Sequence, residues 1–370
     1  MKDYQSHTDK YFLRSKLILE KEDINPLVRY QVFVRKDINY LVDVDCAVRF
    51  IKNHAPEADV YALKDGQYCA SCEPIMKIEG RVQDLIDLET VYLGYISGGL
   101  TGPELGLPIV YHNAYGIVRA AKEKPVFYFG ARHFAPEDDK QITSMCHEAG
   151  FAGCSTDIGA KHWNSEGMGT VPHALILAVD AHLKETNDET NPTAKTAQLF
   201  DKHMPKGVPR TILIDTYNRE IDDTLASIKI ANVDGVRIDT CGENVSQLAN
   251  NSMDGSIPDS KYRWCNGVSV SAVWALKYEL VKRGFPEIKI TVSSGFNPEK
   301  TLAFMEADKV FQWAYKTPLF DSIGTGSVYP GVTMATSDIV AYFSESKNQW
   351  MPHNKVGRCE TKSNRLKLVN

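Results

Sequence analysis

The sequence predicts an α/β protein built on a parallel barrel, with a smaller domain ahead of it. Three observations lead there. From residue 125 onward, short apolar runs alternate with amphipathic stretches, about seven β-then-α units in series. That many units in series argue for a parallel barrel rather than an open sheet. Residues 26–100 instead read as strands and turns. Finally, 370 residues suit two domains, or one barrel with an appended domain.

The elements follow in order. Residues 28–34 alternate apolar and polar side chains, and 59–63 and 74–79 carry turn signals at Asp65-Gly66 and Gly80. Residues 82–93 and 109–122 show helical spacing and bridge into the barrel. Barrel strands are expected at 126–129, 151–154, 168–170, 211–214, 235–238, 288–292 and 319–323, with 168–170 the weakest. Helices are expected at 136–149, 220–231, 268–283 and 298–307. The polar stretch 184–195 reads as a loop. These readings divide the chain into an N-terminal α+β domain (1–122), the barrel (123–340) and a basic tail (341–370) that packs back on the first domain. Neither an internal repeat nor a low-complexity tract interrupts this order.

Composition narrows the function classes. Hydrophobic residues are 43% and charged residues 24%, ordinary for a globular chain with a large core. A net charge of -5 gives no bulk basic field for nucleic acid, so an anionic ligand must be held by locally placed Arg and Lys. The polar start, Met1-Lys2-Asp3-Tyr4, has no apolar leader pattern, and runs such as 174–179 are too short to span a bilayer. Eight scattered cysteines suggest a reducing compartment, the cytosol. Cys69 and Cys72 form one CxxC without the second pair a zinc ribbon needs, so they read as free thiols beside a turn. No protein-held metal site is expected.

Active sites of α/β barrels lie at the C-terminal strand ends. The residues there are Arg132, Ser155-Thr156-Asp157, His173, Asp215, Arg237 and Asp239, Ser294-Gly295 and Gly324-Thr325-Gly326. Arg237 and Asp239 share one strand face because side chains alternate with period two. They form either a plain ion pair or a phosphate-binding guanidinium beside a carboxylate for ribose hydroxyls or magnesium-bound pyrophosphate. A lone histidine such as His173 is more often structural, and Asp215 is placed to orient it through Nδ1–H. Arg132 reads equally as a surface arginine. The glycine turns after the last two strands offer backbone N–H groups to phosphate, or are ordinary turns. Taken together, the set resembles a pocket for an anionic, phosphorylated substrate.

Those residues carry a family resemblance over most of the chain. Thr8-Asp9-Lys10-Tyr11, Phe33-Val34-Arg35, the run from Asp65 to Thr90, Phe129-Gly130-Ala131-Arg132, Gly150 to Thr156, Gly169 to His173, Asp215-Thr216-Tyr217, Val236 to Asp239, Ser294-Gly295 and Asp321 to Gly326 resemble, in this order and spacing, the nicotinate phosphoribosyltransferase family. The resemblance extends to its nicotinamide and quinolinate kin, the type II phosphoribosyltransferases. It implies an irregular, incomplete parallel α/β barrel, and a homodimer with shared active sites. It also implies that Tyr11 of a partner chain and Phe129 sandwich a pyridine ring whose carboxylate Arg132 holds. His173 is implied to be phosphorylated from ATP with Asp215 in support. Arg237 and Asp239 meet ribose phosphate and pyrophosphate, while Gly295, Gly324, Thr325 and Gly326 cradle the 5-phosphate. Asp9, Arg35, Thr156, Ser294, Lys355 and Arg358 are further substrate-binding positions by the same resemblance.

Ser155 bears on the choice of substrate. The nicotinamide enzymes carry an aspartate there, which accepts from a carboxamide and repels a carboxylate, whereas a serine donates to one. The implied reaction is therefore nicotinate plus 5-phosphoribosyl 1-pyrophosphate (PRPP), with Mg2+ accompanying the pyrophosphate and ATP, in NAD synthesis. Rivals are the nicotinamide and quinolinate reactions and a non-catalytic PRPP or pyridine-nucleotide binder. The chain departs from the family pattern at Thr240-Cys241-Gly242 and at Ser293-Ser294-Gly295-Phe296, which leaves the magnesium and ATP contacts open.

Overall fold

A computed structural model describes residues 3–102, 106–251 and 255–369. The strands are β1 (Leu27–Val34), β2 (Asp59–Ala62), β3 (Pro74–Arg81), β4 (Val126–Tyr128), β5 (Gly153–Cys154), β6 (Thr211–Leu213), β7 (Gly235–Ile238), β8 (Lys289–Val292), β9 (Ser322–Thr325), β10 (Ala335–Ser344), β11 (Gln349–Pro352) and β12 (Lys367–Leu368). The helices are α1 (Lys10–Lys21), α2 (Val44–His54), α3 (Val82–Leu85), α4 (Glu89–Thr101), α5 (Leu107–Ala121), α6 (Asp139–Glu148), α7 (Asp157–Ala160), α8 (His173–Thr186), α9 (Pro192–His203), α10 (Glu220–Ile230), α11 (Val270–Lys282) and α12 (Pro298–Tyr315).

Two six-stranded sheets result. The first, ordered β11-β10-β1-β3-β2-β12, is antiparallel; the second, β5-β4-β9-β8-β7-β6, is parallel throughout. In the parallel sheet the first strand pairs with the last: Val126, Phe127 and Tyr128 of β4 lie opposite Ile323, Gly324 and Thr325 of β9. The ring is open only between β5 and β6, so it is an incomplete α/β barrel.

The opening falls where residues 168–170 were expected to form a strand. Met168 N donates to Cys154 O at 2.9 Å, and no ladder follows. Gly169 has φ +146, and a Cβ on it would lie 3.0–3.2 Å from Tyr11. The chain N-terminus occupies the gap instead. Lys10 N donates to Ser155 O at 2.7 Å, and Asp9 bridges Thr156.

Helix α4 joins the two sheets. Residues 89–94, 96 and 97 are buried, as befits a helix apolar nearly all round. Its glycines allow close packing. A Cβ on Gly94 would stand 2.8 Å from Phe134 O, and one on Gly98 2.6 Å from Ala135 N. The helix thereby lies against the backbone that follows Arg132.

Several boundaries differ from the sequence reading. The expected loop 184–195 shrinks because α8 runs to Thr186 and α9 starts at Pro192, capped by Asn191 Oδ1 accepting from Ala194 N at 3.0 Å. Helix α12 continues eight residues past 307. The division placed at 340 falls inside β10, which pairs with β1 along Val28–Val34. Residues 367–368 of the tail pair with Ala62 and Tyr61. No helix among the described residues is long and apolar enough to cross a membrane. All eight cysteines are free, Cys69 buried and Cys72 exposed.

Candidate active site

A cavity of ≈ 360 Å³ opens at the C-terminal ends of the barrel strands. Fourteen of the expected positions line it: Tyr11, Arg35, Phe129, Arg132, His173, Arg237, Asp239, Ser294, Gly295, Gly324, Thr325, Gly326, Lys355 and Arg358. Asp9, Ser155, Thr156 and Asp215 do not. Five cations line the cavity against the three acidic residues Glu89, Asp239 and Asp338, so an acidic chain carries a locally positive mouth.

Arg132 sits on the turn after β4, under α4. Its Nη1 makes every contact: 3.5 Å to Asp9 Oδ2, 3.8 Å to Glu89 Oε1, and a hydrogen bond to the Tyr11 hydroxyl. Nε and Nη2 have no partner among the described residues, which leaves one edge of the guanidinium for a ligand. Asp9 is thus a support behind Arg132 rather than a lining group; Thr90 Oγ1 also donates to it at 3.1 Å. Within this chain Tyr11 itself lines the cavity. The physical reason is the open barrel edge, where α1 enters beside Gly169.

The Phe129 ring packs against Gly324, where any Cβ would collide with it. Gly326 likewise makes room for the His133 ring and Gly130. These two glycines therefore have a packing reason independent of any phosphate. Thr325 Oγ1 donates to Phe296 O at 2.7 Å and accepts from Ser327 N at 3.0 Å, so its hydroxyl ties two loops together.

His173 opens α8, after Pro172. Its Nδ1 pairs with Thr216 Oγ1 at 3.0 Å, not with Asp215. Asp215 faces Nε2 at 3.5 Å, outside hydrogen-bonding geometry, and Nε2 has no partner among the described residues. Burial, then the cations Lys355, Arg237, Arg358 and Arg132, hold the imidazole well below its ordinary range. Burial and the neighbouring Asp239 push Asp215 up to about 7. Its Oδ1 accepts from Asp239 N at 3.1 Å.

Arg237 Nη1 pairs with Asp239 Oδ2 at 3.1 Å, and Nη2 donates to Val171 O at 3.2 Å. Ser293 Oγ donates to Asp239 Oδ1 at 2.7 Å. The ion pair therefore stands in the cavity wall. On the opposite wall Arg358 pairs with Asp338 at 2.7 Å and with Glu243, which also takes Arg35; Lys355 lies 3.6 Å from Asp338.

Thr156 caps α7 through Gly159 N (3.3 Å) and donates to Asp139 Oδ2 at 2.5 Å. That removes it from the expected ligand set. Ser155 Oγ is buried and has no partner among the described residues, away from the cavity lining.

Sequence reasoning missed Glu89, His133, Lys300 and Asp338. Glu89 is 7% exposed, and burial, only partly offset by Arg132, pushes it up to about 8. It lies in the run from Asp65 to Thr90 that carries the resemblance, but was given no role there. His133, its Nδ1 3.1 Å from Gly326 O, is held down to about 4, chiefly by burial and then by Arg132.

Residues 9–98 match the family model of the quinolinate phosphoribosyl transferase N-terminal domain. Solved structures extend the likeness over nearly the whole chain. A nicotinate phosphoribosyltransferase from Porphyromonas gingivalis superposes with a TM-score of 0.63 at 14% identity, over 95% of this chain and 92% of that one. One from Vibrio cholerae gives 0.59 at 15%, over 94% and 89%. The chain therefore shares the fold of these solved structures, and its residues 9–98 are similar to the quinolinate phosphoribosyl transferase N-terminal domain.

Proposed function

We propose that the chain is a nicotinate phosphoribosyltransferase. It forms nicotinate mononucleotide and pyrophosphate from nicotinate and PRPP, with ATP hydrolysis, in NAD biosynthesis. The observation that carries this reading is the convergence of Arg132, Phe129, Tyr11, His173 and Arg237 on one cavity whose charge is locally positive.

The free Nε–Nη2 edge of Arg132 takes the nicotinate carboxylate, and Phe129 and Tyr11 bound the ring. The pyridine nitrogen needs no general base, since its lone pair attacks C1 of the ribose as the C1–O bond to pyrophosphate breaks. Positioning therefore supplies most of the rate. Arg237, with Lys355 and Arg358, stabilises charge on the departing pyrophosphate. Asp239 fits as one carboxylate toward a magnesium ion carried by the pyrophosphate. Such an ion keeps several waters and needs only one or two protein ligands; when bound, it neutralises leaving-group charge.

His173 is the group this reading phosphorylates from ATP. With the proton on Nδ1, accepted by Thr216 Oγ1, Nε2 keeps its lone pair for the γ-phosphorus and ADP leaves. Assembly as a homodimer and a cytosolic location belong to the same reading, on the motif resemblance and the eight free thiols.

The test is PRPP-dependent conversion of labelled nicotinate, with and without ATP and beside labelled nicotinamide. Turnover of nicotinate is expected; tight PRPP binding without turnover of either base would mean a binding protein instead. In His173→Ala, ATP stimulation disappears while a basal rate remains. Stimulation surviving unchanged would remove His173 from that role.

A further inference from the structure

We propose that Lys300 is a positioning residue. From behind the β8–α12 turn it holds Ser294 and Gly295 in the left-handed conformation that frees consecutive amides for a phosphate group. The inference rests on the reading of this cavity as the site of a phosphoribosyl donor.

Ser294 has φ +75, uncommon for a residue with a Cβ, and Gly295 follows at φ +70. Backbone in that region persists where its surroundings over-determine it. Both residues line the cavity, and a Cβ on Gly295 would meet nothing within 4 Å. Among the described residues the amides of Ser294, Gly295 and Phe296 find no acceptor. A run of free amides in a turn is a concavity suited to an anion.

What over-determines the turn is a set of three bonds. Lys300 Nζ donates to Ser294 O at 2.9 Å, Lys300 N donates to Asn297 Oδ1 at 2.8 Å, and Thr325 Oγ1 donates to Phe296 O at 2.7 Å. Lys300 is 6% exposed, and its ammonium lies 4.7 Å from the Phe296 ring centroid. It does not itself line the cavity, so it acts through the turn. Burial, countered in part by Cys265 and Asp239, brings the ammonium down to about 8. A lysine kept at that cost in solvation, with a carbonyl as its hydrogen-bond acceptor, has a local task.

The experiment measures affinities for PRPP and for nicotinate by calorimetry in the parent protein, in Lys300→Met, and in Lys300→Met combined with Ser294→Gly. Lys300→Met weakens PRPP roughly tenfold or more, the usual effect of losing a charged hydrogen bond, and leaves nicotinate within about a factor of two. Ser294→Gly restores part of the loss, because glycine adopts φ +75 unaided. Unchanged PRPP affinity in a folded Lys300→Met, or equal weakening of both ligands, overturns the inference and leaves the proposed activity standing. A parent protein that binds no PRPP overturns both. Should Lys300→Met not fold, Lys300→Gln replaces it, being too short to reach the same carbonyl; the same selective loss supports the role, and its absence refutes it.

Discussion

Glu89 shows how one buried carboxyl governs the site. Its acidity is shifted up to about 8 from an ordinary 4.5, so at neutral pH it is protonated and Arg132 keeps its charge for an incoming carboxylate. Above about 8 a second anion stands 3.8 Å from that guanidinium, in the company of Asp9, Asp338 and Lys355. The KM for nicotinate is therefore expected to rise severalfold as pH passes through 8, and to stay flat in Glu89→Gln; steady-state kinetics from pH 6.5 to 9 decide it. The same shift acts on stability. The folded chain holds this proton more tightly than the unfolded chain, so the contribution is full below about 4.5 and lost as pH rises to about 8. Thermal melts of Glu89→Gln should accordingly gain on the parent across that window. At this scale the sequence revealed groups that line the cavity at strand ends, because period-two alternation fixes which side chains share a face. It did not reveal Glu89, Lys300 or the duty of Thr156, because those depend on what a second element brings against them.

Among the elements, the turns that bound the barrel mouth are held by steric exclusion. Gly324→Ala drives a methyl into the Phe129 ring, and overpacking of this kind costs about 1–3 kcal/mol. A lower melting temperature together with a raised nicotinate KM is expected; a drop in stability with unchanged KM would separate Phe129 from the ring site. Arg358→Ala strands Asp338 (9% exposed), though Lys355 remains nearby, and a loss of about 2–4 kcal/mol in denaturant unfolding is expected for breaking such a buried pair. Strands β4, β6, β7 and β8 were legible within a residue or two as short apolar runs ending in polar groups. The segment 168–170 was misread because its apolar Met168 is local, whereas the partner that fills the gap lies about 160 residues earlier. Helices α1, α2, α8 and α9 went unread, and the polar stretch 184–195 concealed a cap at Asn191.

Across the whole molecule, residues far apart in the sequence share one cavity of this chain. Tyr11, Arg132 and Arg358 reach the same cavity from its N-terminus, centre and C-terminus. Inactive Tyr11→Ala and Arg132→Ala proteins, mixed under conditions that allow subunit exchange, should then recover no activity; recovery toward a quarter of the parent rate would show that Tyr11 works across an interface. The fold class was readable from the serial β-then-α rhythm, and a tail packing back on the first domain was expected, but the strand pairings that join both chain ends in one antiparallel sheet were not, since pairings of such separation leave no local trace. That sheet has a consequence for biosynthesis. Strand β1 has one hydrogen-bonding flank taken by β3, but the other waits for β10, some 300 residues later. At ribosomal elongation rates of about 5–20 residues per second, the flank stays bare for tens of seconds. A nascent chain of this protein thus carries an unprotected, apolar sheet edge through most of its translation, an invitation to chaperones and a hazard in overexpression.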